Sequence, residues 1–388
     1  MPDASSPGAL SNLKVLDLSR ILAGPWATQI FADLGAEVIK VERPGAGDDT
    51  RTWGPPFTES GVAGYFLSAN RGKKSIEVDI ADPEGQALLR KLAAKADVLV
   101  ENYKVGGLKK YGLDYESLKA VNPKLIYCSI TGFGQTGPFS HRAGYDFLLQ
   151  GMGGLMSITG EADDLPGGGP QKVGVAVADL FTGMYSAVAV LAALRHRDQT
   201  GEGQYIDSAL LDCQVAMLAN QATNYLLSDE VPERLGNAHP NIVPYQAFKA
   251  LDGHLIIAVG NDRQFKDLCR VLGRRQLAED ERFATNRDRV ANRRTLVSII
   301  ADIVTERPVA EWMSELESAY VPCGPINTID GVFADPQVQA RDLVKDLALA
   351  SGDEVKLVGF PVRMSATPAQ AKAPPKLGQH NGLEDFES

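Results

Sequence analysis

The feature that most constrains this chain is the alternation of short apolar strands with amphipathic helices over its first 130 residues. Residues 14–18 predict a strand, followed by a helix with Pro25 in its first turn and Gly35 just after its end, and residues 37–41 predict a second strand. Further strands are predicted at 75–78, 98–100 and 125–130, with a helix from 83 to 96. This pattern predicts an α/β fold with a mostly parallel sheet and ligands bound beyond the carboxyl ends of its strands.

The pattern changes in the rest of the chain. Residues 177–197 predict one long helix that is apolar on nearly every side and is therefore expected to be buried. Two apolar runs flank Asp252 and Gly253, which is typical of a β-hairpin, and arginine-rich helices follow. We therefore predict a discontinuous Rossmann-like domain at 1–210 and 345–388, a smaller α+β domain at 236–328, and linkers at 211–235 and 329–344.

The charge of the chain excludes some partners. Its 388 residues carry a net charge of −10, which argues against binding to nucleic acid or to an anionic membrane, because both need a cationic face. The charge is unevenly distributed, since residues 1–150 contain 17 Lys and Arg against 17 Asp and Glu. The first part of the chain can therefore hold a local basic patch suited to a small anion.

Cysteine spacing and the first residues predict a cytoplasmic location. The four cysteines, Cys128, Cys213, Cys269 and Cys323, are far apart and form no C-x-x-C pair, so they predict neither a disulfide framework nor a zinc site. Residues 1–8 lack the basic and apolar regions of a signal peptide. No run of about 18 uninterrupted apolar residues predicts a membrane span.

The common catalytic motifs are absent from the sequence. There is no P-loop, nucleophile elbow or zinc-protease motif, and Met156 stands where a dinucleotide fingerprint beginning at Gly151 needs its third glycine. The five histidines show no paired spacing, so we predict no metal and no redox cofactor. A nicotinamide oxidoreductase fits the predicted sheet but has no supporting motif.

Four segments in a fixed order carry a family resemblance: residues 19–25, 35–44, 178–183 and 200–207. Together with Asn237-Ala-His-Pro-Asn241 and the closing residues 374–378, they resemble the class III CoA-transferases, the CaiB/BaiF family, over nearly the whole chain. The resemblance implies that Asp179 attacks an acyl-CoA thioester, giving an aspartyl anhydride and then an aspartyl-CoA thioester. Coenzyme A would then be a substrate, and no cofactor is needed.

Asp179 has a simpler interpretation when it is taken alone. An aspartate in the first turn of a helix is most often a cap or a partner of the helix dipole, with a contribution of about 1 kcal/mol. The resemblance instead favours a nucleophile. Both roles are compatible, because a helix N-terminus stabilises an ionised carboxylate.

The resemblance also implies a set of CoA contacts in the charge-neutral first part of the chain. Arginine offers a planar fork for phosphate and lysine a point charge. The predicted CoA-binding residues are Arg20, Ala23, Arg43, Leu67, Asn70, Lys74, Asn102, Lys110, Arg142 and Tyr145. Lys73 and Lys109 are interpreted as solvated surface residues, and Lys110 stands where related enzymes often have arginine.

Three alternatives to this transferase activity remain at this point. An α-methylacyl-CoA racemase would use a histidine in a Gly-His-Asp segment, but this chain has Tyr145, whose ordinary pKa near 10 makes it a poor base at neutral pH. A formyl-CoA:oxalate CoA-transferase would carry a glutamine at Leu22 and glycines at 237–241. The third alternative is a protein that binds acyl-CoA without turnover.

The segment at 237–241 resembles the branch that uses succinyl-CoA as donor and a dicarboxylate as acceptor. We therefore predict transfer of CoA from succinyl-CoA to a small dicarboxylic acid. The residues predicted to contact the acyl group or the acceptor are Leu22, Arg71, Asn237, His239 and Asn241. The resemblance further implies a homodimer of two interlocked chains.

Overall fold

The computed structural model describes residues 7–387, so most of the segment used for the signal-peptide prediction lies outside the described residues. The chain divides into a large unit (Met1–Leu155, Val173–Asp229 and Gln339–Ser388) and a small unit (Met156–Lys172 and Glu230–Val338). Residues 156–172, predicted in the large domain, group with the small unit. The predicted linkers are also divided: residues 211–229 and 339–344 group with the large unit, and residues 230–235 and 329–338 with the small unit. The helix at Leu210–Ala216 packs on the large unit.

The large unit is built on a six-stranded, wholly parallel sheet in the order β3-β2-β1-β4-β5-β6. Its strands are β1 (Lys14–Asp17), β2 (Glu37–Glu42), β3 (Lys74–Glu77), β4 (Val98–Glu101), β5 (Ile126–Thr131) and β6 (Gln204–Ala209). The predicted Rossmann-like α/β fold is confirmed. The strand order reverses between β1 and β4, where sheets of this type open a crevice at their carboxyl edge.

The helices lie on both faces of this sheet and in the small unit. In chain order they are α1 (Ala23–Asp33), α2 (Gly64–Ala69), α3 (Pro83–Ala93), α4 (Tyr115–Lys119), α5 (Asp146–Met152), α6 (Leu155–Ile158), α7 (Val177–Thr200), α8 (Leu210–Ala216), α9 (Ala219–Ser228), α10 (Asp262–Val271), α11 (Asn286–Ala291), α12 (Arg293–Val304), α13 (Val309–Ser318), α14 (Ile329–Ala334) and α15 (Pro336–Ala340).

Successive residues of each central strand supply opposite faces of the sheet. On β1, Val15 packs into one core with Phe31 of α1, and Leu16 packs into a second core with Leu89 and Leu92 of α3. All of these side chains are fully buried. Burial on both faces explains why the strands are continuous apolar runs in the sequence.

Helix α7 differs from the prediction in its burial. It packs on α1, with Ala178, Ala187 and Val190 buried, but its opposite face, which includes Met184 and Val188, is exposed. The prediction of full burial was wrong because an apolar composition on all sides does not say which sides have a neighbour. Length and composition alone would let this helix cross a membrane, and a core helix meets the same test.

A glycine allows α7 to approach α1 closely. A Cβ at Gly183 would lie 2.6 Å from the carbonyl oxygen of Ala23 and 3.2 Å from the Trp26 side chain. Any larger residue here would push the two helices apart. The contact brings the first turn of α7 towards the loop that follows β1.

The remaining strands form two small antiparallel sheets. The predicted hairpin is present as β7 (Tyr245–Lys249) and β8 (His254–Ala258), with β9 (Cys323–Pro325) on its other edge. Its core with α10, α12 and α13 includes Leu255, Phe265 and Trp312. In the large unit, β10 (Val344–Ala348) and β11 (Glu354–Val358) form the second hairpin.

Candidate active site

A cleft of about 460 Å³ lies at the carboxyl edge of the large sheet, at the reversal of strand order between β1 and β4. Loops that follow β1, β4 and β5 form its walls, and the first turn of α7 closes one side. The structure brings many of the predicted site residues together on this cleft: Arg20, Leu22, Ala23, Asn102, Lys110, Arg142, Tyr145 and Asp179.

The loop after β1 is held in an unusual conformation. Ile21 has a φ of 71°, in a region that non-glycine residues seldom adopt. Its N–H donates to both carboxylate oxygens of Asp48, at 3.3 and 3.2 Å. The loop is also tied to the loop after β4, because Arg20 N donates to Asn102 Oδ1 and Asn102 Nδ2 donates to Arg20 O, at 2.9 and 2.7 Å.

Four fully buried charges lie beneath this loop, and we call them the balanced cluster: Asp17, Lys40, Asp48 and Lys73. Lys40 Nζ lies 2.9 Å from Asp48, and Lys73 Nζ lies 3.0 Å from Asp17. Lys40 also donates to the carbonyl oxygen of Ser19 at 2.9 Å. Each buried carboxylate therefore has a cation beside it, and the cluster supports the loop that lines the cleft.

The ionisation of the balanced cluster follows from this pairing. Burial opposes the charged form of Asp17 and Asp48, but the nearby lysines outweigh it, so the pKa of Asp17 is lowered and that of Asp48 falls to about 2. Burial lowers the pKa of Lys73 to about 8, although Asp17 opposes the change. Lys73 was interpreted as a solvated surface residue, and that interpretation is wrong.

Asp179 has the opposite environment. It lies in the first turn of α7, and among residues 7–387 its carboxylate forms no ion pair. Burial, and then the negative charge of Asp146, raise the pKa of Asp179 to about 7. Without a cation beside it, this carboxylate keeps the basicity that an attacking oxygen needs.

The segment that carries Asp146 is fixed to the sheet edge by two glycines. A Cβ at Gly132, just after β5, would lie 2.6 Å from the Cα of Gly144, so the two backbones touch. Asp146 Oδ1 accepts hydrogen bonds from the N–H groups of Ala178 and Asp179, at 2.8 and 3.4 Å. Asp146 was given no role in the sequence analysis, although an aspartate that opens a helix is a recognisable capping signal.

Cationic side chains line the same cleft. The Arg142 guanidinium lies 5.3 and 4.9 Å from the ring centroids of Phe133 and Phe139. Arg20 lies over the Tyr103 ring at 5.5 Å, and Lys110 over the Tyr111 ring at 4.6 Å. Aromatic faces hold the cations in place while their N–H groups stay available to an anion.

Arg43 lies beside this cleft rather than in it. It lines a neighbouring pocket of about 180 Å³ at the end of β2, and Arg20 lines both. Arg43 and Arg20 each lie 3.3 Å from an oxygen of Asp49. The carboxylate of Asp49 therefore links the two arginines.

Two of the predicted CoA contacts lie in the interior instead. Leu67 packs in a small core with Phe66 and Leu349. Asn70 is fully buried; its amide donates to Phe66 O and accepts from Lys73 Nζ, both at 2.9 Å. Helix α2 directs these two side chains inwards, which a sequence motif does not show.

Two predicted cationic contacts are held in ion pairs away from the cleft. Arg71 is buried and lies 2.7 Å from Asp33, and Lys74 lies within 2.8 Å of both Glu37 and Glu387. Arg71 therefore serves the packing of α1, and Lys74 the outer edge of the sheet.

The remaining predicted acceptor residues belong to the small unit. The His239 ring lies 5.2 Å from the Tyr245 ring, and its Nδ1 accepts from Asn241 N at 3.1 Å. Burial, with Arg293 nearby, lowers the pKa of His239. The roles of Asn237, His239 and Asn241 stay predictions.

Tyr65 of α2 was not singled out from the sequence. Burial, and then Asp179 and Asp146, raise the pKa of its phenol to about 12. The phenol therefore faces the acidic pair and stays protonated.

In the described part of the chain, no three histidine, cysteine or carboxylate side chains converge to hold a metal ion.

Comparison with known proteins identifies the family. The model of CoA-transferase family III matches residues 10–381, and the chain belongs to this family. It is 55% identical to the succinate–glutarate CoA-transferase of Agrobacterium fabrum, over 98% of this chain and 95% of the relative. It is 48% identical to the succinyl-CoA:glutarate CoA-transferase of Mus musculus, over 97% and 86%.

A solved structure agrees with the fold. A CaiB/BaiF family protein from Brucella suis is 54% identical to this chain and superimposes with a TM-score of 0.85, covering 97% of this chain and 98% of that one. The class III CoA-transferase predicted from four short segments is confirmed, and the protein is a CoA-transferase.

Proposed function

We propose that this CoA-transferase moves CoA from succinyl-CoA to a dicarboxylic acid of four to six carbons, such as glutarate, with Asp179 as the nucleophile. The observation that carries the proposal is a part-buried carboxylate, with no ion pair among residues 7–387, in a cleft lined by cationic side chains, in a chain similar to succinate–glutarate and succinyl-CoA:glutarate CoA-transferases.

The reaction begins when a carboxylate attacks the carbonyl carbon of a thioester. The Asp179 oxygen attacks the thioester carbon, the C–S bond breaks, and CoA leaves as a thiolate with the succinyl group on an aspartyl anhydride. The thiolate then attacks the aspartyl carbonyl and releases succinate, leaving an aspartyl-CoA thioester. The acceptor carboxylate attacks this thioester, which expels the CoA thiolate and forms a second anhydride between the acceptor and Asp179. The thiolate then attacks the acceptor carbonyl of this anhydride, giving the new acyl-CoA and freeing the Asp179 carboxylate.

Coenzyme A supplies the negative charge that the cleft is suited to bind. Arg20, Lys110 and Arg142 would contact its phosphates, with Arg43 at the adjoining pocket. Leu22, Ala23 and Tyr145 line the same cleft as Asp179. Because coenzyme A is the group that is transferred, it is a substrate of this reaction rather than a cofactor.

A second copy of the chain would cover the exposed apolar face of the large unit. On α7, Met184 and Val188 are 52% and 63% exposed, and on α9, Leu226 and Leu227 are 75% and 83% exposed. Large exposed apolar side chains on two helices of the same unit favour an interface. We expect a homodimer, measurable as twice the chain mass by light scattering; a monomer at micromolar concentration would contradict this.

The test is a CoA-transfer assay with succinyl-, acetyl- and formyl-CoA as donors and a panel of mono- and dicarboxylates as acceptors. We expect the highest kcat/KM for succinyl-CoA with a C4 to C6 dicarboxylate. Faster exchange between formate and oxalate would overturn the substrate assignment. Deuterium exchange at the α carbon of a methylacyl-CoA, without transfer, would favour the racemase, and no turnover at all would favour a binding protein.

A further inference from the structure

Helix α7 receives its N-terminal cap from another helix. Its own N-cap residue, Ala176, has no side chain that can accept a hydrogen bond, so the first N–H groups of the helix need another acceptor. Asp146, the first residue of α5, supplies it: one oxygen accepts from Ala178 N at 2.8 Å and from Asp179 N at 3.4 Å. The turn that carries Asp179 is therefore fixed by Asp146.

The second oxygen of Asp146 is itself fixed. It accepts from Gln150 Nε2 at 2.8 Å, and Gln150 Oε1 accepts from Val173 N at 2.9 Å. Gln150 is fully buried. The pair Asp146–Gln150 thus ties α5 to both the first turn of α7 and the segment that leads into it.

The cap is also an electrostatic neighbour of Asp179. A neutral serine or asparagine would serve as well for capping alone, whereas an aspartate places a negative charge beside the nucleophile. From the other elements, Tyr65 of α2 faces the pair, and His141, Arg142, Tyr145, Arg20 and Lys110 line the cleft. Burial, and then the negative charge of Asp146, raise the pKa of Asp179.

We propose that Asp146 is a positioning residue for CoA transfer: it orients the helical turn that carries Asp179 and, by its negative charge, keeps that carboxylate basic enough to attack the thioester. This rests on the proposed role of Asp179. Asp146 touches the backbone of the nucleophile and no reacting atom, so it acts through Asp179.

Asp146→Asn separates the two parts of this role. The asparagine oxygen still accepts from Ala178 N, but the charge is gone. We expect the acid limb of the kcat/KM profile to move to lower pH, and the plateau kcat to fall several-fold because the nucleophile is less basic. Asp146→Ala removes the acceptor as well, and its plateau kcat should fall further.

Glu101→Gln is the matched control. Glu101 ends β4, is not among the residues that line the cleft, and has a pKa that burial raises to about 7, so it is a buried carboxylate that titrates in the same range. Its substitution should leave the acid limb in place. An acid limb that moves with Glu101→Gln and stays with Asp146→Asn would overturn the proposal.

A second variant covers the case in which Asp146→Asn folds poorly. In Asp146→Asn/Gln150→Glu, the new amide donates to the new carboxylate, so the tie between the two positions is restored with the charge farther from Asp179. Its acid limb should also lie below the wild-type limb, and coincidence with wild type would contradict the inference. Asp179→Asn is assayed in parallel, and full activity of this variant would overturn the proposed nucleophile. If Asp179→Asn is inactive and the acid limbs of the Asp146 variants coincide with that of wild type, only the role of Asp146 is overturned.

Discussion

The balanced cluster and the acidic pair of Asp146 and Asp179 place carboxylates of the large unit in opposite surroundings. In the balanced cluster, a lysine lies within about 3 Å of each carboxylate, and the pKa values of Asp17 and Asp48 are lowered. At the acidic pair, no lysine or arginine of residues 7–387 forms an ion pair with Asp179, and burial and Asp146 raise its pKa to about 7. Burial raises the carboxyl pKa at both places, so the opposite pKa shifts come from the neighbouring charges: lysines in the cluster and Asp146 beside Asp179.

This difference separates a structural from a chemical use of charge. A paired buried carboxylate is stabilised as an anion and is a weak nucleophile, which suits a support for the Ile21 loop. A desolvated carboxylate with no cation beside it destabilises the fold when it ionises, but it is a stronger nucleophile. Activity at Asp179 is therefore obtained at the expense of stability, and the experiments below test this contrast.

The largest expected effect is on turnover. Asp179→Asn should lower kcat for CoA transfer by on the order of 10⁴-fold, because an amide cannot form the anhydride. Steady-state assays with succinyl-CoA and glutarate measure it. Asp48→Asn, which removes a carboxylate of the balanced cluster, should lose far less turnover per folded molecule; equal losses would remove the distinction between the two regions.

The next effect is on stability. Lys73→Met leaves Asp17 buried without its cation and should lower the free energy of unfolding by about 3–5 kcal/mol. Urea denaturation measures it. The adjacent Lys74→Met is the control, since that lysine is partly exposed and should change stability by less than about 1 kcal/mol. Adding Asp17→Asn to Lys73→Met should restore part of the loss.

The two regions should respond with opposite sign to removal of a carboxylate. The folded protein binds the Asp179 proton more tightly than the unfolded chain does, so ionisation opposes folding at every pH above the unfolded pKa and most strongly above pH 7. Asp179→Asn should therefore stabilise the protein by about 2 kcal/mol at pH 8 and by little at pH 4. Asp17→Asn should destabilise it at both pH 7 and pH 8. Destabilisation by both substitutions would contradict the contrast.

The smallest effect concerns CoA binding. Arg142→Gln should raise the KM for succinyl-CoA about tenfold with kcat little changed, because a charge-assisted contact to phosphate is lost. Lys74→Ala, which removes an equal charge outside the cleft, should leave KM unchanged. A larger KM change at Lys74 than at Arg142 would move the CoA site away from this cleft.

The elements that could be predicted from the sequence are those fixed by local pattern. The apolar runs of β1 and β2 and the helix between them, with Pro25 in its first turn, each depend on residues close together in the chain, so they predicted the parallel sheet. Asp179 was found because four ordered segments resemble one family. Chemistry that depends on a short motif can be recognised in this way.

What could not be predicted depends on which neighbours a side chain meets. Lys73 and Lys74 are adjacent, yet one is buried against Asp17 and the other pairs with Glu37 at the sheet edge. Their direction follows from the turn between α2 and β3, which no periodicity shows. The exposed face of α7 was missed for the same reason, since its composition does not identify which side packs on α1.

The central claim is that Asp179 carries the acyl group and then CoA, and covalent trapping tests it most directly. The protein is incubated with succinyl-CoA, treated with hydroxylamine or borohydride, and digested for peptide mass spectrometry. The account predicts modification of Asp179 alone, absent from Asp179→Asn and absent without succinyl-CoA. Modification of Asp17, Asp48 or any other carboxylate in place of Asp179 would contradict it.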